Sequence, residues 1–106
     1  MSMIKHKKIY LDYFGYDVGD RIVCEVCQYY YDNMRELNRD FAVLNEAVDI
    51  HHISARALGG SKLKDYPENL MAVCREHHNK AERDKEFNKL CKIIHLKKVI
   101  KHIEDE

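Results

Sequence analysis

Four side chains constrain this sequence more than any other feature. They are Cys24 and Cys27, then Cys74 and His77, two pairs each separated by two residues. At that separation a tight turn brings two sulfur or nitrogen ligands to the same side, so each pair is half of a metal site. Together they make a Cys3His set, a composition that zinc accepts readily. One C-x-x-C alone is as well read as two unligated thiols or a redox pair. The second pair at the same spacing favours metal, and no thioredoxin-like βαβ pattern surrounds the motif. Cys91, on the apolar side of the last expected helix, reads as core. The expected role of the zinc is structural. It ties the segment before the first helix to the end of the second strand, in a chain of 106 residues that has room for one domain only.

Composition excludes several classes. With 45% hydrophobic and 34% charged residues the chain is neither a disordered tail nor a membrane protein. No apolar run approaches the roughly 20 residues a bilayer span needs. The start is basic (Lys5, Lys7, Lys8), but Ile9-Tyr10-Leu11 is broken at once by Asp12, so no secretory signal is expected. The expectation is an intracellular, cytoplasmic protein with its cysteines reduced. Eighteen Lys+Arg balance eighteen Asp+Glu, so net charge does not point to nucleic acid, and any such partner has to be argued from local charge.

The element pattern is α+β. Residues 1–19 read as an N-terminal arm, extended over 9–19 with turns at Gly15 and Gly19. Asp20 to Val26 reads as a short strand running into the cysteines. Met34, Leu37, Phe41 and Leu44 recur at helical spacing, predicting a helix over 32–46 with Asp32 as N-cap. Ala47 to Ile53 and Leu70 to Val73 read as strands. The 16 residues between them (54 through 69) exceed the usual ~12-residue ceiling for structureless connections, which favours a functional loop. A helix follows from Arg75 or Glu76 to about Lys89. Residues 90–106 form a last helix in which Leu90, Ile93, Ile94, Ile100 and Ile103 close the domain.

The seven histidines are clustered: His51 adjoins His52, and His77 adjoins His78. The order Val48-Asp-Ile-His-His-Ile53, Gly59-Gly60, Glu68-Asn-Leu70, Cys74-Arg-Glu-His-His78 resembles the HNH endonucleases over about residues 20–85. The opening Lys8-Ile-Tyr-Leu-Asp-Tyr-Phe-Gly-Tyr16 is similar to that of small stand-alone HNH proteins from bacterial and phage genomes. The resemblance implies a small ββα-metal domain stabilised by zinc, with zinc knuckle and core over 20–89 and flanking helices. It implies a divalent ion (Mg2+, Mn2+, Ni2+ or Zn2+) held by His51 and His78, and His52 as general base. Asn69 matches the family's middle Asn, which in some branches holds the loop that orients the base and in others touches the metal. Duplex DNA is the implied partner, with phage packaging or restriction proteins as further partners and no membrane.

The chemistry independently wants these residue types. Phosphodiester hydrolysis needs an activated water, charge stabilisation on the phosphoryl oxygens and help for the leaving oxygen. A neutral imidazole with pKa near ~6.5 is a competent base, and an ion with few protein ligands keeps positions open.

Some positions depart from the family. His77 stands where a fourth Cys is commoner. Glu82, four residues after His78 on the same helical face, is either an oxygen ligand or a solvated residue. Asp49 shares a strand face with His51 and is either the orienter of that ring or an ordinary exposed acid. The stretch Gln28 to Ala47, with Tyr29-Tyr30-Tyr31, is longer than in many relatives. Arg56, Lys62, Lys64, Arg75, Lys80, Arg83 and Lys85 gather around the expected site, whereas Asp32, Glu36, Asp40 and Glu46 fall in the expected helix; a phosphate-binding face and a mixed solvated surface are equally good readings. The alternatives to a nuclease are a catalytically silent zinc-stabilised nucleic-acid-binding module or accessory subunit, and a structural adaptor.

Overall fold

The computed structural model describes residues 5–38, 43–55 and 64–105. The expected Gly59-Gly60 motif, Arg56, Lys62, Asp40 and Phe41 lie outside them. The described elements are α1 (Lys5–Phe14), α2 (Glu25–Asn38), β1 (Asp49–His52), a 3-10 turn at Pro67–Asn69, β2 (Leu70–Val73), α3 (Arg75–Arg83) and α4 (Lys85–Glu104). The protein is a small α+β fold with an antiparallel two-stranded sheet.

The expected strands 47–53 and 70–73 pair in the register Asp49↔Val73, Ile50↔Ala72, His51↔Met71 and His52↔Leu70. All four residues of β2 are buried. Met71 and Val73 pack with Cys24, Val26, Phe87, Cys91 and Ile94, whereas Leu70 and Ala72 pack with Tyr10 and Leu11. The sheet is therefore covered on both faces, which is why Leu-Met-Ala-Val shows no polar alternation. Residues opposite one another in an antiparallel pair share a face, so His51 points with Met71 and His52 with Leu70, to opposite sides of the sheet.

The arm is not extended. Aromatic content over 9–19 suggests a strand, but Tyr10, Leu11 and Phe14 lie on one face of a helix, and their burial against Leu70 and Ala72 decides the conformation. The expected turns are present: Gly15 (φ 75°) and Gly19 (φ 96°) both adopt left-handed backbone. At Gly15 the helix closes with Tyr16 N–H donating to Leu11 O (2.9 Å), the six-to-one bond of a Schellman ending.

The expected strand over 20–26 shrinks to a bridge between Val23 and Glu46, because the chain enters α2 at Glu25. That helix therefore starts well before Asp32, which is not an N-cap but accepts from Gln28 Nε2 (2.9 Å) one turn on. The expected helix through Lys89 is broken at Asp84. Its carboxylate accepts from Glu86 N (3.0 Å) and Phe87 N (3.1 Å), making it the N-cap of α4. In α4, Phe87, Cys91, Ile94, His95 and Val99 are buried. Contrary to expectation, Ile93, Ile100 and Ile103 face outward.

One polar knot crosses the core. Glu25 Oε2 accepts from Tyr10 OH (2.7 Å) and Ala72 N (2.9 Å), while Glu25 Oε1 lies 2.7 Å from His95 Nδ1. His95 Nε2–H donates to Pro67 O (2.6 Å). The knot joins α1, α2, β2, α4 and the 3-10 turn at one buried point. Among the described residues no helix is long and apolar enough to cross a membrane.

Candidate metal centres

The two spaced pairs converge. Cys24 immediately precedes α2 and Cys27 sits in its first turn; Cys74 is the N-cap of α3 and His77 sits in its first turn. The same local build occurs twice, with Gln28 N donating to Cys24 O (3.0 Å) and His78 N to Cys74 O (2.9 Å). Two helix N-termini thus direct their partial positive charge at the sulfurs, which favours thiolate.

His77 Nδ1 lies 3.5, 3.6 and 3.3 Å from the Sγ atoms of Cys24, Cys27 and Cys74. A tetrahedral ion with bonds of about 2.3 Å to sulfur and about 2.0–2.1 Å to nitrogen sets such atoms about 3.5 Å apart. The group could therefore hold a structural metal such as zinc. Burial pushes the Cys24 thiol up to about 12 and raises Cys27, while it lowers His77. A buried cluster of thiols with a neutral imidazole is a poor home for bare negative charge, and a dication reverses that preference. Asn45 Nδ2 donates to Cys27 Sγ (3.7 Å), supporting the sulfur from outside. Cys91 is a fully buried core residue apart from the group.

A second group lies on the α3 side of β1. His51, His78 and Glu82 each offer a ligand atom within 4.8 Å of the others, and the two rings meet edge to face at 5.1 Å. Asn88 at the start of α4 settles the tautomer of His51. Its Nδ2 donates to Ile53 O (2.8 Å), so its Oδ1 must accept, and it takes His51 Nε2–H at 2.7 Å. His51 Nδ1 is then a buried lone pair with no hydrogen-bond partner. Burial holds this imidazole below its ordinary pKa, which keeps that lone pair free at neutral pH.

His78 Nδ1–H donates to Asp49 Oδ2 (3.0 Å), and His78 Nε2 lies 3.1 Å from Glu82 Oε1. A carboxylate behind one ring nitrogen is the usual support for a histidine whose other nitrogen binds metal. Asp49 therefore serves His78, not His51 as strand periodicity alone suggests, and Glu82 belongs to the group. The donor set, with its orphaned imidazole nitrogen, fits a divalent ion of the borderline kind.

Asn69 does not reach this group. Its Oδ1 accepts from Ser54 N (2.7 Å), and its Nδ2 donates to Ser54 O and Lys64 O (3.0 Å each). Of the two roles open from sequence, its contacts are those of a residue that ties together the ends of the loop after β1.

His52, across the sheet from His51, donates from Nε2 to Asp65 Oδ1 at 2.7 Å and meets the ring of His6 edge-on at 4.7 Å. A cleft of about 550 Å³ runs along the outer edge of β1 between α1 and the 17–20 loop, with His6, Asp49 and His78 in its lining.

Of the basic residues expected to face the site, Arg75 is spent on Asp49, with Nε 3.0 Å from Oδ2. Lys64 donates to Ser54 Oγ (3.0 Å), and Lys80 lies over the Phe87 ring. His6, Asp65 and Asn88 carry no motif in the sequence; only the fold brings them to the histidines.

Compared with protein-family models, curated proteins and solved structures, the chain gives no match. What the fold and site define by themselves is a small α+β domain with a group suited to a structural metal and a second histidine–carboxylate group beside it.

Proposed function

We propose that the chain is a metal-dependent endonuclease of the HNH type that hydrolyses phosphodiester bonds in duplex DNA. His51 and His78, joined by Glu82, would hold a divalent cation, and His52 would be the general base. The observation that carries the reading is His51 Nδ1: a buried, unpartnered lone pair, its tautomer set by Asn88, beside a histidine backed by a carboxylate. The order strand, loop, Asn69, strand and helix around it supports the same reading.

When bound, a divalent ion supplies charge stabilisation to a phosphoryl oxygen and to the leaving 3′-oxygen. The chain's own residues do the rest. Asp65 accepts His52 Nε2–H, which leaves Nδ1 as the nitrogen that takes the proton from water. Asn69 fixes the loop that carries Asp65 by holding Lys64 O and Ser54 in place. Asn88 keeps the His51 lone pair on Nδ1, and Asp49 orients His78.

The alternative is a catalytically silent nucleic-acid-binding module. It is favoured by one observation: the register sends His51 and His52 to opposite faces of the sheet. Nicking of supercoiled plasmid with Mg2+, Mn2+, Co2+ or Ni2+ separates the two. The nuclease reading expects cleavage, and His52→Ala should slow it by roughly 10²–10⁴-fold with bound zinc unchanged. A wild-type protein silent with every ion, or a His52→Ala protein that nicks at full rate, refutes it.

A further inference from the structure

On the opposite face of β1 from His51, three side chains from three different segments meet. His6 comes from α1, His52 from the end of β1 and Asp65 from the segment before the 3-10 turn; each offers a ligand atom within 4.8 Å of the other two. We propose that this trio is a further transition-metal site, separate from both groups described above, selecting ions such as Zn2+ or Co2+. The chemistry is that of two imidazoles and one carboxylate.

Asp65 has only 3% of its side chain exposed and His52 16%, so the carboxylate is held in a low-dielectric setting where a cation is strongly favoured. The closest pair is already at 2.7 Å and the two rings at 4.7 Å. An ion with bonds of about 2.1 Å needs ligand atoms about 3.4 Å apart, so His52 and Asp65, hydrogen-bonded at 2.7 Å without the ion, must part by about 0.7 Å while His6 turns its ring toward them.

The site has a chemical consequence. A neutral imidazole carries one lone-pair nitrogen. If His52 gives the Nε2 lone pair to an ion, its proton moves to Nδ1 and the ring can no longer accept a proton there. Binding is independent of the nuclease reading; inhibition of cleavage by excess ion rests on it.

The test uses His51→Ala protein with its structural zinc loaded, so that the other histidine group is disabled, titrated with Co2+. One equivalent should bind, with visible absorption and with paramagnetic shifts on the ring protons of His6 and His52. Adding His6→Gln should weaken binding roughly tenfold or more without altering the melting temperature. Asp65→Asn should weaken binding as well, with the structural zinc retained. Equal titrations with and without His6, or shifts confined to other histidines, overturn the proposal. If cleavage fails but Co2+ binds as described, only the nuclease reading falls; if cleavage holds and His6→Gln changes nothing, only this site falls.

Discussion

Glu25 offers the sharpest test of how the fold is held. Its carboxylate receives Tyr10 O–H and Ala72 N–H on one oxygen and faces His95 Nδ1 with the other, all buried. Glu25→Ala strands a hydroxyl, an amide and an imidazole that solvent cannot reach. At about 1–3 kcal/mol each for the stranded Tyr10 hydroxyl and Ala72 amide, and about 3–5 kcal/mol for breaking the buried Glu25–His95 pair, the loss is about 5–11 kcal/mol. That consumes much of the stability of about 5–15 kcal/mol usual for a domain.

Glu25→Gln is expected to behave differently. Its carbonyl can keep Tyr10 and Ala72 while its amide donates to His95 Nδ1, leaving His95 Nε2–H on Pro67 O. Every partner remains satisfied, and the cost should fall to about 1–2 kcal/mol, similar to Tyr10→Phe. Urea denaturation of the zinc-loaded proteins measures all three. If Glu25→Gln proves as damaging as Glu25→Ala, the hydrogen-bond argument fails and buried charge is what matters. A loss below about 1 kcal/mol for Glu25→Ala would show that the knot contributes little.

Three further outcomes are expected. Cys74→Ser should lose bound zinc and unfold most of the domain, because metal-binding energy is folding energy in a site of this kind, whereas His77→Cys should retain both; zinc analysis with circular dichroism checks this. His51 is held by burial below the ordinary imidazole value of 6.5, so between its folded and unfolded pKa values the unfolded chain binds more protons. Its contribution is complete above about pH 6.5 and is lost as the pH falls below it; a urea midpoint that rises on acidification through that window contradicts the assignment. Asn88→Ala should free the His51 tautomer and weaken divalent binding about 10–100-fold in a Co2+ titration while leaving structural zinc in place.

Much of this protein was determined by short-range features of the sequence. The spacing of Cys24, Cys27, Cys74 and His77 is a local property, since two helix starts each present two ligands, and the four side chains do meet. The strands bearing His51 and preceding Arg75 were legible from β-branched and apolar runs, as was the helix bearing His78.

What only the tertiary structure decided lies between elements. The aromatic arm became α1 because burying Tyr10 and Leu11 on the sheet outweighs local preference. Asp49 turned to His78 because α3 crosses that face of the strand, and Asn88, Asp65 and His6 reached the histidines from distant segments. A periodicity can say that a side chain faces inward. Which group it meets there depends on how elements far apart in the chain are stacked, and that is set by the packing of the whole core.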